Sequence, residues 1–457
     1  MSSGFGIRGS GFDVAQKRVT VVGAARSGIA AAELLAARGA TVTLSDLRAD
    51  VPEAQPLRAL GVRLELGLHA PETFTGADLI VLSPGVPPEQ PAIQAARARG
   101  IPVIAEIELA SRWLRGRVIA ITGTKGKSTT TALTGKMLET AGFKVTVGGN
   151  IGAPLSAQVA QSTPDTFHVV EASSFQLEQI DTFHPWIAVM LNFSADHLDR
   201  HPTVEAYRAA KARIFENQQD TDWAVINADD PSVLALAARA RARKRLFALR
   251  GALEDGTVFE RGWITDRSPA GDERLVPAGA IHLLGPHLVN DVLAASTVAR
   301  LAGVDATAMT QAVDGFRGLE HAMELVADIG GVRFVNDSKA TNVESALRSI
   351  ESFDRDLVPI MGGRFKGGDL GLLRAPLRAR AKAVVAIGES KALFRQALGD
   401  AVPVEEAESL AGAIARAYAM AKPSGVVLLA PACASFDMFR DYAERGRMFK
   451  EEVRKLP

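Results

Sequence analysis

Along this chain, short apolar runs alternate with longer stretches in which apolar positions recur every three to four residues, the pattern of strands followed by helices. Arg18–Val22 reads as a strand, broken between Gly23 and Gly28 before a helix over Ile29–Arg38. A second strand over Ala40–Leu44 ends at Asp46, and Leu79–Leu82 runs into the tight turn Ser83-Pro84-Gly85. The apolar run ending at Ile121 breaks at Gly123 and Gly126 and gives way to a helix from Lys127. Phe167–Val170 is a short strand ending on Glu171, and Pro185–Leu191 is another, ahead of the stretch NFSADHLDRH (192–201). A helix over Val204–Asn217 follows. Glu254–Pro277, rich in turn formers and charge, reads as hairpins or loops, and Asp291–Ala302 as a helix. Beyond a hinge at 315–319, strands at Val332–Val335, Ala383–Ile387 and Val426–Leu429 alternate with helical stretches. This is α/β patterning, and 457 residues suggest about three domains.

The stretch Arg117–Ala141 carries the clearest chemistry. A strand, a glycine turn and a helix start in that order make an anion cradle, because backbone N–H groups and the positive end of the helix dipole face one point. Lys127 adds a point charge for phosphates, and the hydroxyl of Ser128 or Thr129 is placed to ligate magnesium. The loop reads G-x-x-G-K-S-T and is shorter than the usual phosphate loop, whose first glycine would fall at Ile121. A carboxylate at a strand end beside such a loop, Glu171, is where a magnesium ligand is expected. Asp196, His197, Asp199 and His201 suggest metal or general-base work, whereas Lys211 taken alone reads as an exposed helix lysine. The Gly23–Gly28 turn resembles a dinucleotide fingerprint with Ala25 in place of the middle glycine. A nicotinamide is poorly supported there, but a nucleotide reached by Asp46 or Arg48 is reasonable. Three loops of the last third, 336–342, 362–369 and 431–436, all follow strands and should meet at one sheet edge.

Composition changes the picture only by exclusion. With 52 basic and 52 acidic residues, no global field favours nucleic acid or an anionic membrane. The single cysteine, Cys433, fits a reducing cytosol. Met1–Gln16 lack the apolar core of a signal peptide and read as a disordered lead. No apolar run reaches membrane-spanning length, so the expectation is a cytoplasmic protein with no membrane insertion.

Six segments in one order, GTKGKST (123–129), GGNIG (148–152), EASSFQLE (171–178), DHLDRH (196–201), NDSKATN (336–342) and PACASFD (431–437), resemble the Mur ligase family. SSFQLE, NDSKATN and PACAS favour the member that adds D-glutamate to UDP-N-acetylmuramoyl-L-alanine. The resemblance implies three domains: residues 1–114 for the uridine nucleotide, 115–318 for ATP, and a Rossmann-like 319–457 for the amino acid. It implies ATP, two magnesium ions, small-molecule substrates and a monomer, with an acyl phosphate as the intermediate.

Matched by position, the resemblance assigns Gly123, Thr124, Lys125, Gly126, Lys127, Ser128, Thr129 and Asp337 to ATP. Arg26, Ser27, Asp46, Arg48, Ser83, Gly85 and Asn150 fall to the uridine-nucleotide substrate. Lys339, Thr341, Lys366, Ser435 and Phe436 fall around D-glutamate. Ser128 and Glu171 match ligands of the first magnesium, His197 a ligand of the second, and Lys211 a lysine carbamylated into a carboxylate-like metal partner. Lys127, Glu171, His197 and Lys211 thus form the expected catalytic set.

Two stretches depart from the family pattern. Leu288 and Asp291 stand where asparagines are usual, with Asn290 a substitute if the loop is shifted. Ala322 stands where an arginine usually reaches the γ-phosphate, leaving Arg364 or Lys125 to supply the charge. The alternatives are a sibling or folate-type ligase using another amino acid, and a nucleotide-binding pseudoenzyme. A nicotinamide dehydrogenase would explain none of the central domain.

Overall fold

The computed structural model describes residues 12–194, 196, 200–282 and 286–457, with the backbone only at 286, 287 and 344. Among the described residues, twenty strands form three sheets. The first holds β1 (Arg18–Val22), β2 (Thr41–Asp46), β3 (Arg63–Leu66), β4 (Leu79–Leu82) and β5 (Val103–Ala105), all parallel, in the order β3-β2-β1-β4-β5. Its central strands β1 and β4 are buried on both faces, with Val19, Val21, Leu79 and Val81 in one core cluster and Val22, Ile80 and Leu82 in another. Phe12 packs at a tilt against Trp113 and Val14 is buried in this domain's core, so the chain is packed from residue 12 onward, inside the stretch expected to be a disordered lead.

The second sheet holds β6 (Arg117–Thr122), β7 (Lys144–Gly149), β8 (Thr166–Glu171), β9 (Ile187–Met190), β10 (Trp223–Asn227) and β11 (Arg243–Ala248). It continues with β12 (Gly256–Glu260), β13 (Trp263–Arg267) and β14 (Glu273–Pro277), in the order β14-β13-β12-β11-β10-β9-β6-β8-β7. Only the last three strands pair antiparallel, and they account for the region expected as hairpins. β6 lies between β8 and β9, with Ile121 opposite Glu171 and Thr122 opposite Met190. The phosphate-loop candidate therefore leaves the sheet centre with Glu171 and the 191–194 segment on either side.

The third sheet holds β15 (Glu324–Ile329), β16 (Val332–Asn336), β17 (Leu357–Gly362), β18 (Val384–Ile387), β19 (Val404–Glu406) and β20 (Val426–Leu429), in the order β15-β16-β20-β17-β18-β19. All pairs but β15–β16 are parallel. The first two sheets belong to one compact unit and the third to another.

The helix expected from Asp291 begins at Pro286 and runs to Leu301. Proline suits a first helical turn, where its missing N–H would be unpaired anyway. Asn290 and Asp291 are thus successive helical residues, about 100° apart around the axis, and Asn290 does not take the place of Asp291 through a shifted loop. Among the described residues, no helix is long and apolar enough to cross a membrane.

Candidate active site

Gly126 caps the helix Lys127–Thr140 with φ of 80°, a left-handed conformation that favours glycine. A Cβ at this position would also collide with the Asp291 carboxylate, which packs against the loop. The loop is fixed from the next strand end. Asn192 Oδ1 accepts the N–H groups of Thr124 (3.1 Å) and Lys125 (2.8 Å), while its Nδ2 donates to the Lys125 carbonyl (3.0 Å). The Thr124 hydroxyl lies 3.1 Å from the Ser194 carbonyl and 3.3 Å from the Tyr207 hydroxyl. Lys127 Nζ donates to the Thr124 carbonyl at 2.9 Å. Ser128 and Thr129 sit in the first helical turn, half-buried. This is a preformed cradle with a cation at its rim.

Glu171 ends β8 and is 2% exposed. Its Oε1 accepts Asn150 Nδ2 at 2.7 Å, whereas Oε2 is buried without a hydrogen-bond partner. Asn150, expected at the substrate, is therefore engaged in orienting this carboxylate. A buried carboxylate oxygen with nothing to accept is the donor that a hard divalent cation needs. Among the described residues no group of three or more His, Cys, Asp or Glu side chains could hold a metal alone. A hydroxyl, one carboxylate and substrate phosphate oxygens suit magnesium, which keeps few protein ligands.

Lys211 is 1% exposed, contrary to its reading as a surface lysine. Its Nζ donates to the Gly123 carbonyl at 2.6 Å, so the helix lysine reaches under the cradle. Burial and then the charge of Lys127 push its amine down to about 7, against the pull of Asp196 and Glu171. His197 lies outside the described residues, as do Leu198 and Asp199. His201 is structural: it is buried, with Nε2 2.9 Å from Ser174 Oγ, and its ring stacks on Phe175.

The first domain's candidates gather around the Gly23 turn. Asp46 accepts the Ala24 and Arg48 N–H groups and pairs with the Arg48 guanidinium at 3.1 Å. Burial opposes ionisation, but those partners hold its carboxyl at about 2. Ser83 Oγ donates to the Gly23 carbonyl at 2.8 Å, and Ser27 stands in the first turn of the following helix. Arg26 reaches the Gly152 carbonyl (2.7 Å), and the Gly85 carbonyl accepts Arg200 (3.2 Å). Asp46, Ser83 and Arg26 thus brace the turn and its junction with the second domain.

In the third domain, β16, β20 and β17 are neighbours, so the three loops meet at one sheet edge. Backbone bonds between Arg364 and Ala434 join two of them. Lys339 and Lys366 are exposed there and Thr341 is half-buried, with Phe436 62% exposed. Ser435 is buried inside its loop at 2% exposure. Asp337 faces inward: its carboxylate accepts the Met323 N–H at 3.1 Å and the Ser349 hydroxyl. Arg364 pairs with Glu389 at 3.1 Å.

The sequence reading missed Asn192, Tyr207 and Arg445. Arg445 is fully buried, donating to Ser338 Oγ and the carbonyls of Ser338 and Cys433, and so ties two of the loops together. Its signal was a charged residue on the buried stripe 445, 446, 449, 453 of the helix Tyr442–Val453. Asn192 stood directly after an apolar strand, beside a loop in need of hydrogen bonds.

Residues 17–105 match the Mur ligase MurD-like N-terminal domain, 121–299 the Mur ligase middle domain, and 322–433 the Mur ligase glutamate ligase domain. A protein of Koribacter versatilis named UDP-N-acetylmuramoylalanine–D-glutamate ligase is 45% identical, over 97% of this chain and 98% of its own length. The proteins of that name from Acidobacterium capsulatum and Anaeromyxobacter dehalogenans are 47% and 46% identical, covering 96% and 95% of this chain and 96% of each relative. The solved UDP-N-acetylmuramate-alanine ligase of Thermotoga maritima superposes with a TM-score of 0.57 at 19% identity, over 96% of this chain and 99% of that one. The pseudomurein peptide ligase type C of Methanothermus fervidus gives 0.57 at 17%, over 96% and 100%. At such identities these two structures speak for the fold. The chain belongs to the Mur ligase family.

Proposed function

We propose that this chain is the ADP-forming ligase that joins D-glutamate to UDP-N-acetylmuramoyl-L-alanine, in cytoplasmic synthesis of peptidoglycan precursors. The observation that carries the reading is the phosphate cradle at 123–129 with a half-partnered buried carboxylate, Glu171, and a buried amine, Lys211, packed around it. The names of the full-length relatives support D-glutamate as the amino acid.

A carboxylate does not acylate an amine at neutral pH, so the substrate carboxylate first attacks the γ-phosphorus of ATP and ADP leaves. The D-glutamate amine then attacks the carbonyl of the acyl phosphate. The tetrahedral adduct collapses, phosphate departs with the former carboxylate oxygen, and the amine nitrogen loses its proton. Lys127 and the N–H groups of the 123–129 loop hold the phosphates, and Asn192 keeps the loop in shape. Lys125, exposed on that loop, or Arg364, half-exposed in its pair with Glu389, would supply the charge absent at Ala322. Ser128 and Glu171 would hold one magnesium, and His197 with a carbamylated Lys211 a second. Magnesium, when bound, would neutralise the crowded phosphate and carboxylate oxygens. The uridine nucleotide sits at the Gly23 turn, with Arg48, Ser27 and the 83–85 turn around it. Lys339, Thr341, Lys366, Ser435 and Phe436 take D-glutamate. Residues 1–114, 115–318 and 319–457 act as the three domains of a monomer that binds no nucleic acid.

The acyl phosphate is tested with substrate carrying ¹⁸O in its carboxylate. One labelled oxygen is expected in the released phosphate for each amide formed. Unlabelled phosphate would exclude this route.

A further inference from the structure

Glu108 lies on the short helix Glu106–Ser111 of the first domain, fully buried, yet its carboxylate is spent on the second domain. Oε2 accepts the N–H groups of Asp181 (2.8 Å), Thr182 (3.0 Å) and Phe183 (2.8 Å). Oε1 accepts the Thr182 hydroxyl (2.6 Å) and pairs with Arg112 (2.7 Å). One carboxylate oxygen thus collects three consecutive backbone donors, and such charge-assisted bonds are about twice as strong as neutral ones. The first domain grips the same segment again through the Ala105 N–H on the Gln179 carbonyl (2.9 Å).

The carbonyls of this segment are held from the opposite side. Arg213 donates to Glu178 and Ile180, and Asn217 Nδ2 to Asp181 (2.9 Å) and Phe183 (3.1 Å). Arg213 comes two residues after Lys211, where the helix Val204–Ala212 tightens into the turn Arg213–Phe215. At its start the segment continues the short helix Ser174–Leu177, three residues beyond Glu171, and Ser174 bonds His201.

We infer that Glu108 is a positioning residue for the ligase chemistry: it anchors residues 178–183 as a strut between the uridine-nucleotide domain and the helix that aims Lys211. The inference rests on the reading of Glu171 and Lys211 as metal-site residues. A strut held on both faces transmits position, and small misplacements of catalytic groups are costly in rate.

The test uses Glu108→Gln, which sets an amide N–H₂ against donors, and Thr182→Val, a milder change that removes one hydroxyl bond and keeps the backbone. Each is compared with Asn217→Leu on the opposite face. At saturating substrates kcat per folded molecule is expected to fall about tenfold in Glu108→Gln and about threefold in Thr182→Val, with each KM changed less than about twofold. Combining Glu108→Gln with Asn217→Leu should lower kcat by less than the product of the single effects, as coupled residues do. Amide exchange should quicken in both 178–183 and 207–217 but not in β6. Unchanged kcat per folded molecule, or faster exchange confined to 106–112 and 178–183, would reduce Glu108 to a structural staple and overturn the inference. If the wild-type protein releases no phosphate on D-glutamate, the ligase reading fails, and the exchange pattern still decides whether the strut reaches the Lys211 helix.

Discussion

Lys127→Ala is expected to reduce turnover by on the order of 10³-fold while the protein still folds and binds the uridine nucleotide. The side chain is half-buried at the rim of the cradle, where it bonds the Thr124 carbonyl of the loop. The loop keeps its shape because Asn192 and Gly126 hold the backbone independently of the lysine. What disappears is the cation facing the transferred phosphoryl group, whose charge spreads over its oxygens as the bond breaks. Steady-state phosphate release measures the effect, and circular dichroism checks the fold. Activity within a fewfold of wild type would remove Lys127 from the chemistry.

Lys211→Arg and Lys211→Ala should both lower kcat by about 10²-fold or more, the arginine no better than the alanine. If Lys211 acted as a cation, arginine would preserve part of its role. As a carbamate it must first be a neutral amine that attacks carbon dioxide, a product arginine does not give. Burial makes this feasible: with the amine pushed down to about 7, a large neutral fraction exists at physiological pH, where an exposed lysine has almost none. Below about 7 the folded amine is protonated and carbamate formation is suppressed, so activity in limiting bicarbonate should rise as pH passes upward through 7. Between about 7 and the unfolded value of 10.5 the unfolded chain binds more protons at this site, so its contribution to stability also rises with pH. A carbamate signal from ¹³C-bicarbonate, lost in both variants, identifies the adduct. An active Lys211→Arg enzyme would contradict it.

The strands and the cradle were legible because each depends on local pattern. An apolar run ending in glycines, followed by a lysine at a helix start, has few other meanings, and the helix does begin at Lys127. The convergence of the 336–342, 362–369 and 431–436 loops also followed from their places after parallel strands. Long-range burial was not legible. Lys211 has the spacing of a surface position, and only its reach to the Gly123 carbonyl, 88 residues earlier in the chain, shows that it turns inward. Asp337 matched a nucleotide-binding position, yet its carboxylate is taken up by Met323 and Ser349, partners 14 and 12 residues away. Glu108 carried no signal, because the three backbone N–H groups it holds lie more than 70 residues further on. Nor does periodicity give strand order: β6 lies between β8 and β9, and that placement brings Glu171 beside the cradle.

The most direct test of the ligase assignment is phosphate release by the purified protein with magnesium, ATP and UDP-N-acetylmuramoyl-L-alanine, measured with and without D-glutamate. The expected result is release that depends on D-glutamate and is not restored by L-glutamate. No D-glutamate-dependent release from a protein that still binds ATP would contradict it, and would make Leu288 and Ala322 the marks of a nucleotide-binding protein that has lost its reaction.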